Sequence, residues 1–165
     1  MTELTNRPYV ASDLAAVIEI FQRAMRDVAC KDYRLAQIAA WSETDCDEWA
    51  PHRLSRPAWI AEVGKSAAGF TDLEANGHLD MMFVHPDHQG RSIATALLAQ
   101  VEEASGVLKL AEIFTEANIT ARPFFERRGF QLTAAQSVAC GGQFLTNFRM
   151  RKTLLPDNRA QISNI

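Results

Sequence analysis

A chain of 165 residues, 47% hydrophobic and 22% charged, holds enough apolar material for one sizeable core. Its formal charge of −3 argues against the strongly basic surface that nucleic-acid binders use, and no apolar run approaches the roughly 20 residues of a membrane-spanning helix. Met1 to Pro8 is polar and lacks the apolar centre of a secretion signal, while Cys30, Cys46 and Cys140 show no CxxC spacing, so neither a disulfide framework nor a zinc site is indicated and a cytoplasmic chain with free thiols is expected.

In chain order, Arg7 to Ala11 reads as a short strand. Leu14, Val17, Ile18, Phe21, Met25 and Val28 then recur at helical spacing behind Ser12 and Asp13, which are good capping residues, so a helix is predicted over 13–29. Leu35, Ile38 and Trp41 suggest a second, shorter helix, and Thr44 or Asp45 caps a third around Trp49. From Trp59 the period changes to that of strands: 59–63 and 67–74, parted by Gly64-Lys65-Ser66, and then 78–84 after the turn signal Asn76-Gly77. His85-Pro86 ends that strand, and Ile93, Leu97, Leu98, Val101 and Ala104 mark a helix of about four turns. A strand over 108–115, a helix from Asn118 to Gly129 and a hairpin of 130–139 with 143–152 complete a single domain over 1–155, followed by a polar tail over 156–165.

The most informative stretch runs from Val84 to Thr95. A strand, a tight polar loop and a helix start follow one another there. That arrangement places unpaired amides at a helix N-terminus, where the helix dipole also favours an anion. Small residues at Gly90, Ser92 and Ala94 let a diphosphate approach the main chain, and Arg91 adds positive charge. The lysine of a Walker loop and the GxGxxG of a dinucleotide site are both missing, which weakens the ATP and dinucleotide readings.

Gln89, Ile93 and Ala94 fit the pattern Gln/Arg-x-x-Gly-x-Gly/Ala, with Ser92 in place of the usual central glycine. About 30 residues on, Asn118 and Phe124-Phe125-Glu126-Arg127-Arg128-Gly129-Phe130 follow the pattern Asn…Tyr-x-x-x-Gly-Phe. With these two landmarks in order, residues 58–152 resemble the GNAT superfamily of N-acetyltransferases. The resemblance implies an α/β (α+β) fold: a mixed, mostly antiparallel central sheet of six or seven strands flanked by about four helices. It also implies acetyl-CoA as cosubstrate, with Met82, Phe83 and Val84 along the pantetheine arm. Gln89, Gly90, Arg91, Ser92, Ile93, Ala94 and Thr95 would then hold the diphosphate. Asn118 and Phe125 would stand where two central strands part. Asn118 equally reads as a helix cap, and Arg122, Arg127 and Arg128 either approach the cofactor's 3′-phosphate or cover their helix.

Acetyl transfer needs a neutral amine, a polarised thioester and a stabilised thiolate. His78 and Asp80 occupy the positions where the resemblance implies a base, and strand geometry would put both on one face. Asp80 also reads as an anchor for a cationic amine, and His78 as a surface residue after the turn. Phe125 stands where many members carry a tyrosine acid, which leaves Tyr33 as the candidate acid or no side-chain acid at all. The expected partner is a small-molecule amine, with no membrane and no nucleic acid; a homodimer is an open option. The rival readings are a non-catalytic acyl-CoA sensor and an acetyltransferase acting on a protein or charged tRNA. No metal is expected, since His85 and His88 flank a Pro-Asp turn within the phosphate loop.

Overall fold

The computed structural model describes residues 3–154. The seven strands are β1 (Leu4–Pro8), β2 (Ala58–Val63), β3 (Ser66–Asp72), β4 (Met82–Val84), β5 (Glu112–Asn118), β6 (Gln131–Cys140) and β7 (Gln143–Thr153). The five α-helices are α1 (Leu14–Asp27), α2 (Leu35–Trp41), α3 (Cys46–Leu54), α4 (Ile93–Val107) and α5 (Arg122–Arg127). The expected fold class is observed, and the five helices correspond to the five read in chain order. The boundary at 155 and the tail over 156–165 lie outside the described residues.

The strands form two antiparallel sheets, in the orders β1-β2-β3-β4 and β5-β7-β6. A single parallel bridge, His78 to Phe114, joins them. There the amide of Leu79 donates to the Phe114 carbonyl at 2.9 Å, and that of Phe114 donates to the Gly77 carbonyl at 3.0 Å. Beyond this point the two sheets diverge. β4 pairs only with β3, so its other edge carries backbone groups with no strand partner among the described residues. Those groups face the gap left by β5, where a ligand can add to the sheet edge.

Helices cover both faces. Val17, Ile20, Phe21, Ala24 and Met25 of α1 are buried and form a stripe of helical period over one face, against Ile60 and Phe70. On the other face α4 buries Ile93, Leu97, Leu98 and Val101. Gly69 permits this close approach, because a Cβ there would lie 2.9 Å from both Ile93 Cγ2 and the Phe83 carbonyl oxygen. The start of α4 is thereby pinned beside the end of β4.

Three predicted strands shift. The first is Leu4–Pro8 rather than 7–11, because pairing with β2, from Leu4↔Val63 to Pro8↔Trp59, decides its extent and its own residues have little alternation. The strand expected over 78–84 contracts to Met82–Val84. Asp72 is the reason: its carboxylate accepts from the amides of Asp80 at 2.9 Å and Met81 at 3.0 Å, drawing that segment out of regular pairing. The strand expected over 108–115 is Glu112–Asn118. The chain reverses after α4 through Lys109, whose φ is 56°, and uses up 108–111 in doing so.

Candidate active site

The loop expected to hold a diphosphate takes the shape its small residues foreshadow. Pro86–His88 forms one 3-10 turn, with the Asp87 amide donating to His85 Nδ1 at 3.1 Å. Gly90 and Ser92 both adopt left-handed conformations, with φ of 77° and 63°. Ser92 directly precedes α4, and its side chain makes no capping hydrogen bond. The amides from Gly90 to Thr95 consequently have no hydrogen-bond partner among the described residues. A run of free N–H groups at the positive end of a 15-residue helix is an anion cradle.

The cradle opens into a cleft of about 440 Å³. Met82, Phe83, Val84, Gln89, Gly90, Ser92, Ile93, Ala94, Thr95, Asn118 and Phe125 all line it, so the structure brings these sequence-predicted residues together. Arg91 is not among the lining residues. Arg127 and Arg128 are, and Arg128 donates to Thr95 Oγ1 at 2.7 Å while its guanidinium lies 4.9 Å from the Phe124 ring centre. Positive charge therefore reaches the phosphate end from α5. The dimensions and donors fit a phosphorylated, elongated cofactor.

Asn118 ends β5 with its Oδ1 accepting from the Ala121 amide at 2.6 Å, which starts the turn into α5. Phe125 is buried and packs edge-on against Phe124 and Phe130. It can offer shape but no proton. Tyr33 is not in the cleft. Its hydroxyl donates to the Thr146 carbonyl at 2.6 Å and accepts from the Ile119 amide at 2.9 Å, and burial raises its pKa. It ties the α1–α2 connection to β7 and to the residue just after β5, so the hydroxyl expected as an acid is engaged by backbone groups outside the cleft.

Past Asn118 and Phe125 lies a second cavity of about 410 Å³, which shares Met82, Phe83, Asn118, Ala121 and Phe125 with the cleft. His78, Asp80 and Glu116 line it. His78 and Asp80 sit on an irregular segment rather than one strand face, and their surroundings differ. Asp80 Oδ2 is 3.3 Å from nitrogens of both Arg53 and Arg56. Arg53 is 4% exposed and also meets the fully buried Asp72 at 3.0 Å. Burial raises the Asp72 carboxyl, against the lowering influence of the Met81 amide and Arg53.

His78 stacks on Phe114 at 5.0 Å, with Nδ1 3.2 Å from Glu74 and Nε2 2.6 Å from Glu116. Burial opposes the charge on its ring. The hydrogen bond and charge of Glu116, the hydrogen bond of Glu74 and the charge of Asp80 together outweigh it and raise its pKa. Since Glu74 also bonds Arg56, the carboxylates and cations alternate from Glu116 through His78, Glu74, Arg56, Asp80 and Arg53 to Asp72.

A third cavity, about 580 Å³, adjoins the second through Trp41, Asp80 and Met81. Trp49, Glu43, Asp45 and Glu48 also line it. Sequence reasoning missed Glu116, Arg53 and these tryptophans. Glu116 was within reach: it stands two residues before Asn118 and shares its strand face, but the strand was expected to end at 115.

Comparison with known proteins agrees with this geometry. Residues 29–154 match the family described as the acetyltransferase (GNAT) domain. The uncharacterized N-acetyltransferase YafP of Escherichia coli (strain K12) is 34% identical over 151 residues, 92% of this chain and 97% of its own length. Among solved structures, the GCN5-related N-acetyltransferase (aminotransferase, class II) of Rhodopseudomonas palustris superposes with a TM-score of 0.90 at 29% identity, covering 93% of this chain and 98% of that one. The fold also matches the PaiA N-acetyltransferase of Thermoplasma acidophilum in complex with coenzyme A, with a TM-score of 0.74 at 16% identity over 92% of this chain and 99% of that one. An amide cradle before α4, a gap between diverging β4 and β5, and a family match over most of the chain lead to one assignment: this protein belongs to the GNAT acetyltransferase family.

Proposed function

We propose that the protein transfers an acetyl group from acetyl-CoA to a small, cationic amine by direct attack. The observation that carries this reading is the run of free amides from Gly90 to Thr95 leading into the gap beside β4. Acetyl-CoA, when bound, supplies a thioester carbonyl open to attack and a thiolate leaving group. Gly90, Ser92, Ile93, Ala94 and Thr95 hold its diphosphate by their amides, with Gln89 and Arg91 on the loop and Arg127 and Arg128 opposite. Met82, Phe83 and Val84 offer the pantetheine arm an unpaired sheet edge, and Asn118 and Phe125 form the far wall.

The acceptor enters from the second cavity. Glu43, Asp45 and Glu48, beside Trp41 and Trp49 in the adjoining third cavity, favour a positively charged molecule on its way in, through charge and cation–π attraction. His78 then accepts the proton that the amine must lose. Asp80, held by two arginines, positions the segment that carries His78. Solvent protonates the departing thiolate, which needs no strong acid, so Phe125 is compatible with turnover.

Thiol release from acetyl-CoA across a panel of mono-, di- and aromatic amines tests this reading. Turnover of cationic amines with coenzyme A bound at micromolar concentration is expected. Tight binding of acetyl-CoA with no turnover of any amine would favour the sensor reading instead, and activity confined to protein N-termini or charged tRNA would favour the macromolecular one.

A further inference from the structure

We infer that Glu116 and His78 act as one proton-accepting pair, with Glu116 as the member open to the incoming amine. This rests on the acetyl-transfer reading above. Both nitrogens of His78 face carboxylates, so the ring exchanges protons with the cavity through one of them. Glu74 is bound by Arg56 and is not among the cavity's lining residues, whereas Glu116 lines the cavity. Glu116 also shares its strand face with Asn118, at the point where β4 and β5 part. Phe114 beneath the ring fixes its plane, so Nε2 and the carboxylate stay aligned.

The charged groups around the ring come from each neighbouring element. Glu74 and Asp80 belong to its own segment, and Arg56, just after α3, reaches both. Glu116 comes from β5, and Arg149 is its cross-strand partner on β7. Two carboxylates in direct contact hold a proton on the ring more firmly than an ordinary histidine would, and the first of them by weight is Glu116.

In the step itself, the acceptor's ammonium gives up one proton to the deprotonated pair, which gains one proton and resides as imidazolium beside carboxylate. The amine nitrogen keeps the electron pair with which it attacks. The ring must lose its own proton before the pair can accept the amine's. Turnover therefore rises with pH until the pair has lost its proton, above the range of an isolated histidine.

The test uses the full chain, saturating acetyl-CoA and the most active amine of the panel. Glu116→Gln is expected to lower kcat/KM by about 100-fold, in the range of a lost acid–base group. It should also move the ascending limb of the pH profile toward lower pH, while affinity for coenzyme A stays unchanged. Glu116→Asp should restore part of the rate. His78→Gln should lose as much as Glu116→Gln, and the double variant no more than either, as expected of groups acting as a unit. NMR titration of the His78 ring in cofactor-free wild type and Glu116→Gln should show the same downward shift. A wild type that binds coenzyme A but turns over no amine contradicts the parent reading and this one with it. A working wild type whose Glu116→Gln variant keeps its rate, pH limb and ring titration overturns this inference alone.

Discussion

Ser92 carries a cost that its position explains. A non-glycine residue at φ of 63° lies in the region that disfavours side chains, by about 1–2 kcal/mol. Serine is small enough to occupy it while leaving the amides open. Ser92→Gly should raise stability by up to about 1 kcal/mol and keep cofactor binding, whereas Ser92→Ile should lose about 1–2 kcal/mol and weaken coenzyme A binding more than tenfold. Chemical denaturation and calorimetry check both. His78 gives a pH prediction with a definite sign. Its pKa is raised on folding, so the stability it contributes is fully present below the ordinary histidine value of about 6.5 and fades as pH rises through the folded value. The melting-temperature difference between wild type and His78→Gln should therefore shrink as pH rises from about 6 to the alkaline side. Of these residues, the phosphate loop was legible because glycine, serine and alanine before a helix have few other uses. The pairing of Glu116 with His78 was not, because the two are remote in sequence and are brought together only where His78 bridges to Phe114.

Among elements, the position of α4 matters most, and it depends on β3. Gly69→Ala would place a Cβ within 2.9 Å of Ile93 and of the Phe83 carbonyl oxygen. We expect a loss of about 1–3 kcal/mol from overpacking, with a parallel fall in cofactor affinity because the amide cradle starts at Ile93's neighbours. Thermal melts with and without coenzyme A separate the two effects. The end of α3 has a comparable role. Arg53→Met leaves the fully buried Asp72 without its closest cation, which should cost about 3–5 kcal/mol by denaturant titration. Asp80→Asn removes only a partly exposed partner and should cost far less. Helical periodicity made α1 and α4 readable, since each buries one stripe, while α3 was placed by its cap at Asp45. The strand over 78–84 was overread for a specific reason: the alternation of His78, Leu79 and Asp80 imitates a strand, but a buried carboxylate at Asp72 captures the Asp80 and Met81 amides.

For the molecule as a whole, the division of one sheet into two explains why the site is where it is. The sheets touch at His78 and Phe114 and then separate, and the gap receives an unpaired edge from β4, an anion cradle from α4 and a polar face from β5. Fold class and the open-amide conformation of the 89–95 loop could be read from the sequence, because both rest on local patterns and on two motifs in order. The acceptor side could not, because it is assembled from α2, α3, the 73–81 segment and β5, which no short motif links. The central claim is that the free amides before α4 hold the cofactor's diphosphate. Amide NMR during a coenzyme A titration tests it most directly. The account predicts the largest shifts at Gly90 to Thr95, with smaller ones along Met82 to Val84. Saturable binding that leaves those loop amides unmoved, or no binding at millimolar ligand, would contradict it.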